Sequence, residues 1–155
     1  MLAKGIYGYC KASNRVRQPA MHHLYSALIS DHQLEEAVPL LQYLVMRYPP
    51  SVSHLTNLHP IFLRACVAAQ CFKSALSVIS EPITEIDRSL SELHYNDNLI
   101  YHYAGGIVYA ALKQWAEAED FFEIVVGSPA QIPSAIQMEA LKKLALVQLI
   151  AYGKV

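Results

Sequence analysis

The side chains that could do chemistry are few and poorly spaced. His54, His59, Cys66 and Cys71 form the one group with ligand-like types. On a helix His59 and Cys66 share a face, but Cys71 falls near the next turn and His54 precedes the helix. Structural zinc sites use tighter pairs, so these residues read as core or interface. His22 and His23 are adjacent and cannot face one metal from the same side of a helix. His94 and His102 flank a tyrosine-rich stretch and read as packing residues. Cys10 lies near Lys4, Lys11 and Arg15, cations of the kind that lower a thiol pKa, but no base is placed beside it. GxSxG, Walker A and GxGxxG patterns are absent. The expectation is a chain with no catalytic, cofactor-binding or metal-binding residue, no cofactor and no small-molecule substrate.

Composition points the same way. The chain has 155 residues, with 12 Lys+Arg against 13 Asp+Glu and a net charge of −1. Nucleic-acid binding calls for a clear cationic excess, which is missing. Apolar residues make up 54% and charged residues 16%, against about 25% charged in a typical domain. That excludes a disordered chain and leaves surface for protein partners. Cys10, Cys66 and Cys71 are an odd count without a CxxC pair, which argues against a disulfide framework and for a reducing compartment. Lys4, Gly5, Gly8 and Lys11 interrupt any secretory h-region. The longest apolar run, 99–112, falls short of the ~18 residues of a membrane span.

The elements that position these residues are helices. Apolar residues recur at i, i+3, i+4 and i+7, and Asn-Gly and Asp-Gly turns are absent. Seven helices are predicted. The first covers 18–30. The second covers 33–48, with Pro39 expected to kink it or mark a late start. The third covers 56–70, with Thr56 as cap, and the fourth 72–80. After a long connection over 81–96, the fifth begins past Asp97 and reaches Leu112. The sixth covers 114–126, and the seventh runs from Pro133 or Ser134 to Tyr152 with Gly153 as its C-cap. The fifth has no polar face, so it is expected to lie inside a stack. Gly105-Gly106 costs about 1 kcal/mol per glycine in propensity, which makes sense where another helix backbone comes close.

A repeat is legible in the pairs. Ala37, Ala75 and Ala118 each stand near the start of a second helix. In the last unit Gly106, Tyr109, Trp115, Ala118 and Phe122 follow the small, aromatic, aromatic, Ala, aromatic order of a tetratricopeptide hairpin. Gly105, Gly106, Tyr109, Trp115, Ala118 and Phe122 are therefore the candidate packing residues between helices. Small Gly106 and Ala118 let the helices approach, and the rings fill the space beside them. A solenoid needs a polar cap, and none is encoded. Residues 1–155 thus read as one helical-repeat domain, an excerpt of a longer chain.

From Leu55 onward the residues resemble one family. Leu55-Thr56-Asn57-Leu58-His59, Ala69-Gln70-Cys71-Phe72-Lys73-Ser74-Ala75-Leu76, Tyr101-His102-Tyr103-Ala104-Gly105-Gly106-Ile107-Val108-Tyr109, Glu139-Ala140-Leu141-Lys142-Lys143 and Gly153-Lys154-Val155 carry the likeness. It is to subunit three of the COP-nine (constitutive photomorphogenesis nine) signalosome. Leu141 and Leu144 stand where that family tends to place rings, and the sixth helix is more acidic, with Glu117, Glu119, Asp120 and Glu123, expected as a solvated face. The resemblance implies an all-α, right-handed array of antiparallel helical hairpins leading into a C-terminal winged-helix (PCI) module that lies outside this chain. It further implies a non-catalytic scaffold in a complex that removes a ubiquitin-like modifier from cullins, with other subunits as partners and a cytoplasmic and nuclear location. A zinc isopeptidase of that complex would need His-x-His plus Asp, and His-x-His is absent.

Two other readings compete. One is the equivalent PCI subunit of the proteasome lid. The other is a tetratricopeptide-type peptide-binding adaptor, for which the expected concave positions Tyr103, Ile107 and Ala111 offer no cation. The seventh helix carries an apolar stripe of Met138, Leu141, Ala145, Leu149 and Tyr152. Met138, Leu141, Leu149 and Tyr152 are the candidate partner surface, and the excerpt alone is expected to associate.

Overall fold

Each hairpin turns on a residue that is not glycine yet adopts a left-handed backbone. Gln70 and Lys113 have φ of 56° and 61°. In both, the N–H of the residue that follows reaches back to close the helix end: Cys71 N–H donates to Cys66 C=O, and Gln114 N–H to Tyr109 C=O, each at 2.9 Å. This is a Schellman close, which satisfies the last orphan carbonyls. A new helix starts at once, at Phe72 and at Trp115.

The computed structural model describes residues 34–47, 49–51, 53–86 and 93–153. Among them stand six helices: α1 (Leu34–Arg47), α2 (Leu58–Ala68), α3 (Phe72–Ile79), α4 (Tyr95–Ala111), α5 (Trp115–Gly127) and α6 (Ala135–Tyr152). The expected helix over 18–30, Cys10, His22 and His23 lie outside the described residues. The all-α class holds. The single β-type pairing among the described residues is an isolated parallel bridge between His54 and Glu85. α1 packs on α2 and α3, α4 packs on α2, α3, α5 and α6, and α5 packs on α6. The helix read as apolar all round, α4, does lie in the middle of the stack.

One core runs through the array, with Leu41, Phe62, Leu63, Leu99, Tyr101 and Phe122 all at 0–1% exposure. Pro39 does not delay α1. The helix passes through it, held by the buried stripe Ala37, Val38, Leu41, Leu44 and Val45.

Two expected caps are corrected. Asp97 does not precede α4; it is the helix's third residue, and its carboxylate accepts from His94 N–H at 2.9 Å. His94, with extended backbone (φ −96°, ψ 158°), is the N-cap. The connection therefore ends two residues earlier than expected. Thr56 does not cap α2 either. Asn57 precedes that helix, and Thr56 is fully buried with its N–H donating to His59 Nδ1 at 3.1 Å. Ser134 does cap α6. Its hydroxyl accepts from Gln137 N–H, and Gln137 Oε1 accepts from Ser134 N–H at 2.9 Å, a reciprocal capping box.

Candidate interaction surface

The glycine pair of α4 is a seat for rings. A Cβ at Gly105 would lie 2.5 Å from Phe121 Cε1, and one at Gly106 would lie 2.7 Å from Phe122 Cε1. What comes close is therefore two phenyl rings of α5 rather than a bare backbone, a refinement of the sequence reading. Phe121 was missed there. The signal was present as a doublet of rings, Phe121-Phe122, answering a doublet of glycines. Ala118 is fully buried, Phe122 is 1% exposed, and Tyr109 is 6% exposed. Tyr109 donates its hydroxyl to Ile79 C=O at 2.9 Å and sets its ring 5.1 Å from Phe121, edge to face. It thus ties the second hairpin to the first. Trp115 is half-buried at the start of α5.

The histidines pack. His59 Nδ1 accepts from Thr56 N–H, which fixes the proton on Nε2, and burial pushes the imidazole down to about 4. Its ring meets Tyr101 edge-on at 5.9 Å. His102 holds Asn98 C=O through Nδ1 at 3.0 Å and lies between Tyr101 and Phe121. Burial lowers it as well. Cys66 is fully buried, and that burial pushes its thiol up to about 12, against nucleophilic or ligand chemistry. Among the described residues, no three His, Cys, Asp or Glu side chains are grouped to hold a metal ion.

Among the described residues, the largest group of exposed apolar side chains on one helix is on α6. Met138, Leu141, Leu149 and Tyr152 are exposed, at 47%, 47%, 51% and 56%. Two residues outside the expected stripe join them, Leu146 at 57% and Ile150 at 59%. The stripe was read along one line of the helix, and these two stand on its neighbouring line, four residues apart. The opposite side, Gln137, Ala140, Leu144 and Val147, is buried. There Gln137 Nε2 donates to Ser128 C=O at 2.8 Å, joining the start of α6 to the end of α5.

The acidic helix is not purely solvated. Glu119 accepts from Tyr152 Oη at 2.6 Å and from Gln148 Nε2 at 2.9 Å. These donors hold its carboxyl below the usual range. They also hold the far end of α6 against α5, with the Tyr152 hydroxyl engaged.

Where α4, α5 and α6 meet, an apolar groove of about 310 Å³ opens between Ile107, Ala111, Trp115, Leu146 and Ile150. Lys143 of α6 lines it too. No helix among the described residues is long and apolar enough to cross a membrane.

A family model described as "COP9 signalosome complex subunit 3, N-terminal helical repeats" matches residues 13–155. The chain belongs to this family. It is 39% identical over 101 residues to COP9 signalosome complex subunit 3 of Dictyostelium discoideum, covering 65% of this chain and 24% of that protein. It is 34% identical over 132 residues to the protein of the same name from Arabidopsis thaliana, covering 82% of this chain and 29% of that one. The chain thus spans about a quarter of the length of these family members, in a part that the family description calls helical repeats. By its name, the family protein is a subunit of a complex.

Proposed function

We propose that this chain is the helical-repeat part of a non-catalytic scaffold subunit of the COP9 signalosome. In this reading the subunit supports removal of the ubiquitin-like modifier from cullins, and so the control of cullin-RING ubiquitin ligases, by holding other subunits in place. The chemistry lies on those subunits, and the protein works in the cytoplasm and the nucleus. The observation that carries the reading is the family match over residues 13–155. It is supported by the apolar side chains that α6 leaves open. An apolar patch of this kind marks a protein-binding face.

The test is capture of the tagged full-length protein from its own cells, followed by identification of what comes with it and an assay for cullin deneddylation. Co-purification of signalosome subunits, with deneddylation falling when this subunit is depleted, is the expected result. Recovery of proteasome-lid subunits in their place would overturn the assignment. Deneddylation by the isolated subunit would overturn the non-catalytic part of it.

A further inference from the structure

The left-handed turn at Gln70 brings two thiols to one end of α2. Cys66 is fully buried, and Cys71, half-buried, is the residue just before α3. They stand at the two ends of the Schellman close, where Cys71 N–H donates to Cys66 C=O at 2.9 Å. With ordinary bond lengths on either side of it, that hydrogen bond keeps the two Cα atoms within about 6.8 Å of each other. A disulfide bridges Cα atoms about 4.4–6.8 Å apart.

Direction matters as much as distance. In a Schellman close the side chains at these two places frequently turn toward each other in an apolar contact, and here both places hold cysteine. Cys71 packs against the core to which Cys66 belongs. Burial first, and then the nearness of Cys71, push the Cys66 thiol up. Cys71 Sγ donates to Ala69 C=O at 3.5 Å, which keeps it over the turn. The second hairpin makes the same close with Tyr109 and Gln114 in these places, so the turn itself does not call for cysteine. Among the described residues, no third His, Cys, Asp or Glu joins the pair to hold a metal ion.

We propose that Cys66 and Cys71 form a reversible disulfide across the α2–α3 turn when the protein meets a peroxide. The more accessible thiol reacts first. Cys71 Sγ attacks one oxygen of hydrogen peroxide and the O–O bond breaks, which leaves a sulfenic acid on Cys71 and releases water. Cys66 Sγ then attacks Cys71 Sγ. The S–O bond breaks, and the Cys66 proton leaves with the hydroxyl as a second water. The two thiols together lose two hydrogens, and one peroxide becomes two waters. Burial makes Cys66 a poor nucleophile toward solutes, but the backbone holds its one target beside it, and proximity makes up for reactivity. A dithiol reductant reverses the step by exchange. Once formed, the bond ties the end of α2 covalently to the start of α3, where the reduced turn depends on hydrogen bonds around a left-handed Gln70.

The test uses the full-length protein, reduced and then freed of reductant. It is exposed to hydrogen peroxide, unfolded in an alkylating reagent, and cut after Arg64 and Lys73, which leaves both cysteines in one peptide, 65–73. The expected product is that peptide unalkylated and two hydrogens lighter than the dithiol, becoming doubly alkylated when dithiothreitol precedes the alkylation. In Cys71→Ser, Cys66 should stay reduced and be alkylated after the same exposure, because burial shelters it; oxidation of Cys66 there would overturn the order of the two steps. Two alkylated thiols after peroxide, Cys71 carried on to sulfinic or sulfonic acid, or Cys71 joined to Cys10 or to another chain would each overturn the proposal. Melting of the oxidised protein gives a second reading. A bond that fits the turn leaves Tm at or above that of the reduced form, and a lower Tm would overturn the fit. The proposal does not rest on the scaffold reading, since the mass of one peptide decides it whatever co-purifies.

Discussion

The hairpins α2–α3 and α4–α5 share one frame and fill it in opposite ways. With the left-handed residues Gln70 and Lys113 aligned, Ala75 meets Ala118, Cys66 meets Tyr109 and His59 meets His102. In α2 the two positions at the crossing are Phe62 and Leu63, and in α4 they are Gly105 and Gly106. Their partners reverse the order of size: Val78 and Ile79 on α3, Phe121 and Phe122 on α5. The bulk has moved from the first helix to the second. Phe62, Leu63 and Phe122 are all at most 1% exposed, so both arrangements fill the space. What repeats is the turn and the summed volume, not the residue types, as close packing requires. That is why the repeat is faint when sought as a string of letters.

The comparison can be broken most sharply at the ring that fills the second hairpin. Phe122→Ala should cost about 3–5 kcal/mol, the range for an aromatic removed from a core, read by denaturant unfolding. A loss below about 1 kcal/mol would show that the ring does not fill the crossing.

Exchange of bulk sharpens the comparison. Gly106→Leu alone should cost about 3 kcal/mol by overpacking against Phe122, and Phe122→Ile alone about 1–2 kcal/mol. Together they recreate the Leu63 and Ile79 pair of the first hairpin. The double variant should recover at least about 1 kcal/mol relative to the sum, a coupling measured by a double-mutant cycle. Additive losses would refute the idea of one shared volume.

The small positions should behave alike in the two hairpins. Ala75 and Ala118 are both fully buried, so Ala75→Leu and Ala118→Leu should each lower stability by about 1–3 kcal/mol. An unchanged Tm for either one would remove it from the frame.

The paired histidines give a pH dependence. The folded state holds His59 down at about 4, against 6.5 when unfolded, because the ring is desolvated. Below 6.5 the unfolded chain takes a proton that the folded chain refuses. Stability is therefore full above 6.5 and falls as pH drops toward 4, by about 2 kcal/mol at pH 5 from this group. Melting curves from pH 7 to 5 should show the fall, and His59→Gln should flatten it. His102, lowered in the same direction, should leave a residual slope.

How much of this was legible follows from where each signal lives. Helices α1 to α6 announce themselves through apolar spacing, and the end of α6 through Ser134 and Gly153, because these signals are local. The burial of α4 was legible because it has no polar side to offer water. The start of α4 was not. Asp97 is a common cap in sequence terms, and only the backbone of His94 shows that the carboxylate reaches backward. Thr56 misled in the same way, since its partner His59 is buried with it. Phe121 was missed, and Glu119 was read as solvated, because their roles depend on which helix lies opposite, and spacing along one helix does not carry that. Spacing along the chain names Gly105, Gly106 and Phe122 but not Phe121, the ring over Gly105 from the opposite helix.

One small feature has a kinetic consequence. The stretch after α3 returns to the stretch before α2: Leu55 N–H donates to Glu85 C=O at 2.9 Å, Thr84 N–H to Ser53 C=O at 3.0 Å, and His54 Nε2 meets the Glu85 carboxylate at 2.7 Å. The first hairpin is thereby a closed ring, with Leu55 1% exposed at its clasp. A ring of this kind opens as a unit, since neither helix can leave without breaking the clasp. The amide of Leu55 then acts as a clock for that event. Its hydrogen exchange follows the opening of α2 with α3.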